Sequence, residues 1–373
     1  METQIAPVLR PLRLGELLDQ AIRLYRRNFI TFIGIIAVIY IPLMILQTAS
    51  TALLTSSIGG LATASRPEEI FTNYAYWGGL LSTFIITFIQ FILVQGVATG
   101  ALTRAVADNY LGRQTGILDA YRGIGKSWTS LLGALLFVGL LAFVIFLWWL
   151  IVPCIGWFTG LGMLTFLMAA VSPLVAPVVV LERTGPWSTP TDTIIERTGK
   201  FITRTFGSIR RAWDLARRRF WPVLGTIFVL YLFSLLIVNG PAAIVNAILT
   251  QVITSFGDVT TQLVITTIVQ SLVSLVFVLL YYPLQMAAFT LIYFDLRVRT
   301  EGFDIALLTM NTSEPVDVAN VSQVPVPQSN ERLITGPELG NFAILTLGAI
   351  GLYVLFFSLI TAAAFFFASF FIR

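Results

Sequence analysis

A chain of 373 residues with 57% hydrophobic and 11% charged side chains and a mean hydropathy of +0.86 departs from soluble domains, which carry roughly 25% charge, and belongs in a bilayer. Histidine is absent and cysteine occurs once, at Cys154. That removes the commonest general base, the commonest metal ligand and any disulfide within the chain.

The N-terminal 28 residues are charged throughout and lack the short apolar core and small-residue cleavage site of a secretory leader. The first span is therefore expected to act as an uncleaved insertion signal. Before it, Leu14, Leu17, Leu18, Ala21, Leu24 and Tyr25 recur at helical spacing opposite Arg13, Glu16, Gln20, Arg23 and Arg27. This pattern predicts an amphipathic helix on the inner bilayer surface, apolar face toward lipid, with Asp19 pairing to Arg23 four residues on.

About 20 consecutive apolar residues carry a helix across the hydrocarbon core. Seven segments meet that length: 29–49, 76–103, 131–152, 157–181, 221–246, 263–294 and 341–371. The predicted fold is all-α, a polytopic membrane protein of seven transmembrane helices. The second and sixth segments exceed the core thickness, so they tilt or emerge from the membrane as continuous helices. Between the third and fourth, "VPCIGW" reads as a hinge, with Cys154 expected to be a buried, inert thiol. Pro42, Pro173, Pro177 and Pro283 predict kinks that neighbouring helices must satisfy. Residues 309–340, rich in Pro, Ser, Asn and Val without helical period, predict a flexible cytoplasmic linker that tethers a separate last span, 341–373.

Lysine and arginine are retained on the cytoplasmic side during insertion. With the N-terminus inside, 21 basic residues fall in inner segments and two, Arg66 and Arg373, fall outside. The N-terminus is thus expected in the cytoplasm and the C-terminus outside.

Three stretches share a pattern: "AIRLYRRNFITFIG", "AYRGIGKSWTSLLG" and "AWDLARRRFWPVLG". Each aligns an alanine, an aromatic and a glycine: Ala21, Phe29 and Gly34; Ala120, Trp128 and Gly133; Ala212, Phe220 and Gly225. A cation, Arg27, Lys126 or Arg218, stands two residues before each aromatic. Each unit reads as an amphipathic helix, an interfacial aromatic and a span that returns through a second span. The six-span domain, 1–308, then comprises three hairpin units, 14–107, 118–183 and 207–300, related by an axis along the membrane normal.

Arg23, Arg26, Arg27, Lys126, Arg217, Arg218 and Arg219 precede spans, so anionic lipid headgroups are their expected contacts and membrane phospholipids, not nucleic acid, the expected partner. No Asp, Glu, Lys or Arg falls at the centre of a span, which disfavours a carboxylate-coupled carrier. Gln90, Gln95, Gln270 and Gln285 are the candidate polar interior, with helix-to-helix hydrogen bonding as the structural alternative. No catalytic constellation, metal-ligand cluster or cofactor motif is present in the sequence, and none is expected in the protein.

"LRPLRLGELLDQAIRLYRRNF" at 9–29 and "FTLIYFDLRVRTEGFDIALL" at 289–308 resemble the two ends of the family named for the membrane domain of glycerophosphoryl diester phosphodiesterase. The second stretch, with Asp295, Arg297, Arg299, Glu301, Gly302, Phe303 and Asp304, is the more specific. The resemblance covers 9–308 and implies a polytopic module of bacterial envelopes, without the soluble catalytic barrel that gives the family its name. Asp295 and Arg299, four apart, should pair, and Gly302 should stop the helix, as part of docking against the basic amphipathic helices. The functional expectation is a non-enzymatic scaffold or partner-binding subunit in a bacterial plasma membrane, with another membrane protein or a second copy of the chain as its partner. The alternative is a transporter or lipid-handling protein with a cavity between the hairpins. A glycerophospholipid enzyme component is the weakest alternative, resting on the family name alone.

Overall fold

The computed structural model describes residues 10–62, 73–125, 127–182, 192–253, 259–309, 321, 324 and 334–371. Among them the regular structure is entirely helical. Seven helices are long and apolar enough to cross a membrane: Phe29–Ser57, Tyr74–Tyr110, Ser127–Ile151, Ile155–Leu181, Phe220–Ile253, Thr260–Glu301 and Gly336–Leu355. The protein is an all-α, multi-pass membrane protein.

Local chemistry sets the helix ends. The first interfacial helix, Leu14–Arg27, opens where the Glu16 carboxylate accepts the Arg13 N–H at 3.0 Å and closes where Asn28 donates to the Leu24 carbonyl at 3.0 Å. Another, Ile194–Arg218, begins in a capping box. There Thr193 Oγ1 accepts the Glu196 N–H at 3.3 Å, and Glu196 accepts the Thr193 N–H at 2.8 Å. The sixth span belongs to a helix that runs from Val259 to Glu301 and stops at Gly302, whose φ of +62° suits a residue without Cβ and whose N–H returns to the Val298 carbonyl. At 43 residues the helix is longer than a bilayer core requires and runs without a break, and Asp295 pairs with Arg299 at 2.8 Å.

Two wide turns carry a proline signature. The π-helical segments Leu167–Val171 and Leu235–Asn239 lie just before Pro173 and Pro241. Proline lacks the N–H and crowds the carbonyl four residues back, so the ladder widens ahead of it.

The core lies at the ends of the spans that adjoin the amphipathic helices Leu14–Arg27 and Ile194–Arg218. Buried residues concentrate in Ala98–Ala107, Phe166–Leu181, Ile209–Ala216 and Ala287–Val298. In its most apolar stretch the sixth span buries no residue against protein, whereas the fourth buries 61%. The halves of the spans away from this core thus turn apolar side chains outward, and the core ends form a compact layer with the amphipathic helices.

That layer corrects several expectations. Leu17, Ala21 and Tyr25 of the first interfacial helix are buried against protein along the helix of the sixth span, so its apolar stripe faces the chain and not lipid. An apolar stripe is satisfied equally by lipid tails or by side chains, and here side chains are nearer. Among the described residues Asp19 and Arg23 form no ion pair, as an exposed pair gains little from one.

The seventh span is integral. Gly162 donates its N–H to Thr346 Oγ1 at 2.7 Å, and Phe342 is buried among Phe166, Trp213 and Phe220. Its helix begins at Gly336, inside the expected linker, while 310–320, 322–323 and 325–333 lie outside the described residues. Cys154 is exposed with φ +60°, because it occupies the tight turn between the third and fourth spans and not a packed wall.

The aligned alanines Ala21, Ala120 and Ala212 are all buried, at 1% exposure or less. Their glycines differ. A Cβ on Gly34 would stand 2.5 Å from Ile117, and one on Gly133 would stand 2.4 Å from Phe201. Ile117 opens the helix Ile117–Ile124, ahead of the third span, and Phe201 lies on Ile194–Arg218, the helix ahead of the fifth span. Each of these two glycines therefore receives an apolar side chain from the next interfacial helix. A Cβ on Gly225 would meet nothing within 4 Å.

Candidate functional site

The layer of core ends and amphipathic helices is locked by a buried ionic node. Glu182 caps the fourth span, Arg211 comes from Ile194–Arg218, and Tyr293, Arg297 and Glu301 share one face of the sixth helix at four-residue spacing. Arg211 donates to Glu182 at 2.9 and 3.2 Å and to Glu301 at 2.7 Å. Tyr293 donates its hydroxyl to Glu182 Oε1 at 2.9 Å and accepts from Arg297 at 3.2 Å. Arg297 Nε reaches Glu301 at 3.1 Å, and the guanidinium carbon lies 4.1 Å from the centre of the Phe303 ring.

Two cations and two anions balance, which is what makes such burial tolerable. Burial alone would lower the proton affinity of Arg211, but hydrogen bonding and charge from Glu301 and Glu182 hold it above the ordinary arginine value. A second clasp joins Arg217 to Asp214 at 2.9 Å and to Glu338 of the seventh span at 3.5 Å. Burial raises the Asp214 carboxyl, against the opposing pull of Arg217 and its neighbours. At the third clasp Asp295 accepts the Leu12 N–H at 2.8 Å while Arg299 donates to the Leu12 carbonyl at 2.5 Å. The N-terminal stretch at Leu12 and the end of the sixth helix therefore meet.

Beside the node a cavity of about 620 Å³ opens between the fourth, fifth, sixth and seventh spans. Its wall includes Met168, Pro173, Leu224, Gly225, Phe289 and Leu345, with Tyr281 and Gln285 as polar points. Trp221, Phe228, Tyr231 and Leu352 line it and are exposed, so it opens sideways onto the lipid-facing surface. A smaller space of about 250 Å³ adjoins it across Leu230, Tyr281 and Gln285 and reaches Leu18, Asp19 and Ile22 of the first interfacial helix.

No family model, curated protein or solved structure matches the chain. The site must be read from its own chemistry.

Arg23, Arg26, Arg27 and Arg218 are exposed and Arg219 is half-buried, and among the described residues none of the five has an ion-pair partner. Arg217 is a correction: its guanidinium is committed to Asp214 and Glu338, with 5% of the side chain exposed. Lys126 lies outside the described residues. Of the candidate interior glutamines, Gln90 and Gln95 share a pocket of about 400 Å³ between the first, second and sixth spans. Gln285 lines the cavities on the far side of the sixth span, and Gln270 is exposed; the four glutamines do not share one cavity.

Glu182 and Tyr293 escape sequence reasoning because their partners are distant in the chain. The helix from Ile194 had a legible signal in the capping box "TIIE". Among the described residues no group of three or more Cys, Asp or Glu stands where it could hold a metal ion.

Proposed function

We propose that the chain is a non-enzymatic lipid-handling protein that holds an anionic inner-leaflet phospholipid between its hairpins. It lies in a bacterial plasma membrane with its N-terminus in the cytoplasm and its C-terminus outside. The observation that carries this reading is the vacancy at Gly225. Where Gly34 and Gly133 each receive an apolar side chain of the chain itself, Gly225 faces an open, lipid-accessible cavity of about 620 Å³. An acyl chain has the shape and apolarity to occupy that space. Arg218 and Arg219 stand one turn before Trp221, at the inner mouth, where a phosphate headgroup would lie.

The equivalent use of Gly34 and Gly133 supports the threefold plan, and the excess of inner basic residues supports the orientation. The envelope assignment draws on the family resemblance. The partner-binding reading draws on sequence features alone.

Because a side chain at Gly225 meets no neighbour, Gly225→Phe should fill the cavity without displacing the bundle. Native mass spectrometry of protein released from mild detergent should show bound phospholipid in the wild type and about tenfold less in the variant, equivalent to about 1.4 kcal/mol. Unchanged occupancy would remove the lipid from this cavity. Exchange of Arg218 and Arg219 for Gln should weaken the preference for anionic over zwitterionic phospholipid by about fivefold per charge, an effect that fades as salt rises.

A further inference from the structure

We propose that the pocket holding Gln90 and Gln95 is a second lipid site, distinct from the phospholipid cavity, that takes an uncharged lipid bearing a free hydroxyl beside ester or ether oxygens. A diacylglycerol is the simplest such molecule. The pocket, about 400 Å³, is lined by Ile36 and Tyr40 of the first span, Thr87, Gln90, Phe91, Val94 and Gln95 of the second, and Val278 and Tyr282 of the sixth.

Its position follows from a break in the second span. The π-helical stretch Phe91–Ala98 widens the helix there. Thr99 repairs the ladder by donating to the Val94 carbonyl at 2.9 Å while sharing a hydrogen bond of 2.6 Å with the Tyr282 hydroxyl. Wide turns of this kind concentrate at functional sites.

Polar groups on the same helix toward the outer side are mutually satisfied. Ser50 bonds Ser82 at 2.7 Å and Thr83 at 2.9 Å, and Thr87 reaches Gln47 at 3.3 Å. Those contacts are helix-to-helix adhesion. Tyr40, Gln90 and Gln95 are different: among the described residues none of them has a hydrogen-bond partner. An amide in hydrocarbon without a partner costs several kcal/mol, so a pocket that gathers three unpaired polar groups calls for a ligand that pairs them.

The chemistry of the ligand follows from the inventory. Each carboxamide offers both donor and acceptor, and the phenol offers both as well. No Asp, Glu, Lys or Arg lines the pocket, so nothing there compensates a phosphate. A hydroxyl, which donates and accepts, with neighbouring ester oxygens, which accept, matches the set. Depth points the same way: Ile36 and Tyr40 lie 7 and 11 residues past Phe29, hence about 10–16 Å along the helix from the inner surface. Only an uncharged headgroup reaches that depth without a large desolvation cost.

The test uses the full chain in nanodiscs of zwitterionic phospholipid with a photoreactive diacylglycerol, and in parallel arms a photoreactive phosphatidylglycerol and photoreactive free glycerol. Peptide mapping should place the diacylglycerol adduct on 87–95 or near Tyr282, competed by unlabelled diacylglycerol and not by phosphatidylglycerol or glycerol. The pair Gln90→Leu and Gln95→Leu should reduce that labelling about tenfold, through two lost hydrogen bonds, and Tyr40→Phe, which deletes one hydroxyl, about threefold. Gln270→Leu, outside the pocket, should leave it unchanged. Competition in the wild type needs no variant, so misfolding of the double variant does not blunt the test. Equal competition by phosphatidylglycerol or by glycerol overturns the proposal, as does undiminished labelling in a folded double variant. Labelling near Gly225 by phosphatidylglycerol reports on the other cavity and stands or falls separately.

Discussion

Arg297→Met is expected to destabilise the detergent-solubilised protein by about 3–5 kcal/mol, the cost of removing one partner from a buried ionic cluster. Arg297 is the largest fully buried side chain among the described residues, and its guanidinium lies against Glu182, Tyr293, Glu301 and the Phe303 ring. Methionine fills most of its volume, so the loss comes from charge and not from a cavity. Arg211 would then face two buried carboxylates alone, and the Tyr293 hydroxyl would lose a donor. Pairing the change with Glu301→Gln restores neutrality and should recover a measurable part of the loss, because the cost lies in the unpaired charge. Thermal unfolding of the two variants beside the wild type reads both effects. Equal stability of Arg297→Met and wild type would show that the node does not hold the helices together.

Gly162→Val is expected to release the seventh span. A Cβ at Gly162 would stand 2.0 Å from the Phe342 carbonyl oxygen, a backbone atom that cannot rotate aside, and its N–H bond to Thr346 would be broken by the retreat. Undocking would also draw Phe342 out of its contacts with Phe166, Trp213 and Phe220, so the cost should reach about 3 kcal/mol, the upper end for overpacking. Co-expression of 1–324 and 325–373 as separate polypeptides should recover both pieces together in the wild type and only the first with Gly162→Val. Because Leu345 and Leu352 close one side of the large cavity, release of this span should also strip its bound lipid.

The seven spans were legible because length and apolarity are properties of contiguous residues, and so were the stop at Gly302 and the Asp295–Arg299 pair, which depend on spacing alone. The ionic node was not, since Glu182, Arg211 and Arg297 are brought together by packing of helices whose sequences say nothing of one another. The amphipathic stripe of Leu17, Ala21 and Tyr25 announced a surface that must be covered and not the material covering it. Arg217 looked like its neighbours Arg218 and Arg219 because a run of cations does not reveal which one turns toward Asp214. The tether to the seventh span read as independence, yet the small face at Gly162 that admits Phe342 is a local feature with no sequence-distant label.

Phospholipid is proposed to fill the open space at Gly225. A cryo-EM map of the chain in nanodiscs of mixed anionic and zwitterionic phospholipid tests it most directly. If phospholipid fills that space, acyl-chain density runs between Gly225 and Leu345, continuous with a headgroup beside Arg218 and Arg219. A cavity closed by side chains, or lipid density no stronger there than around the other spans, would contradict it.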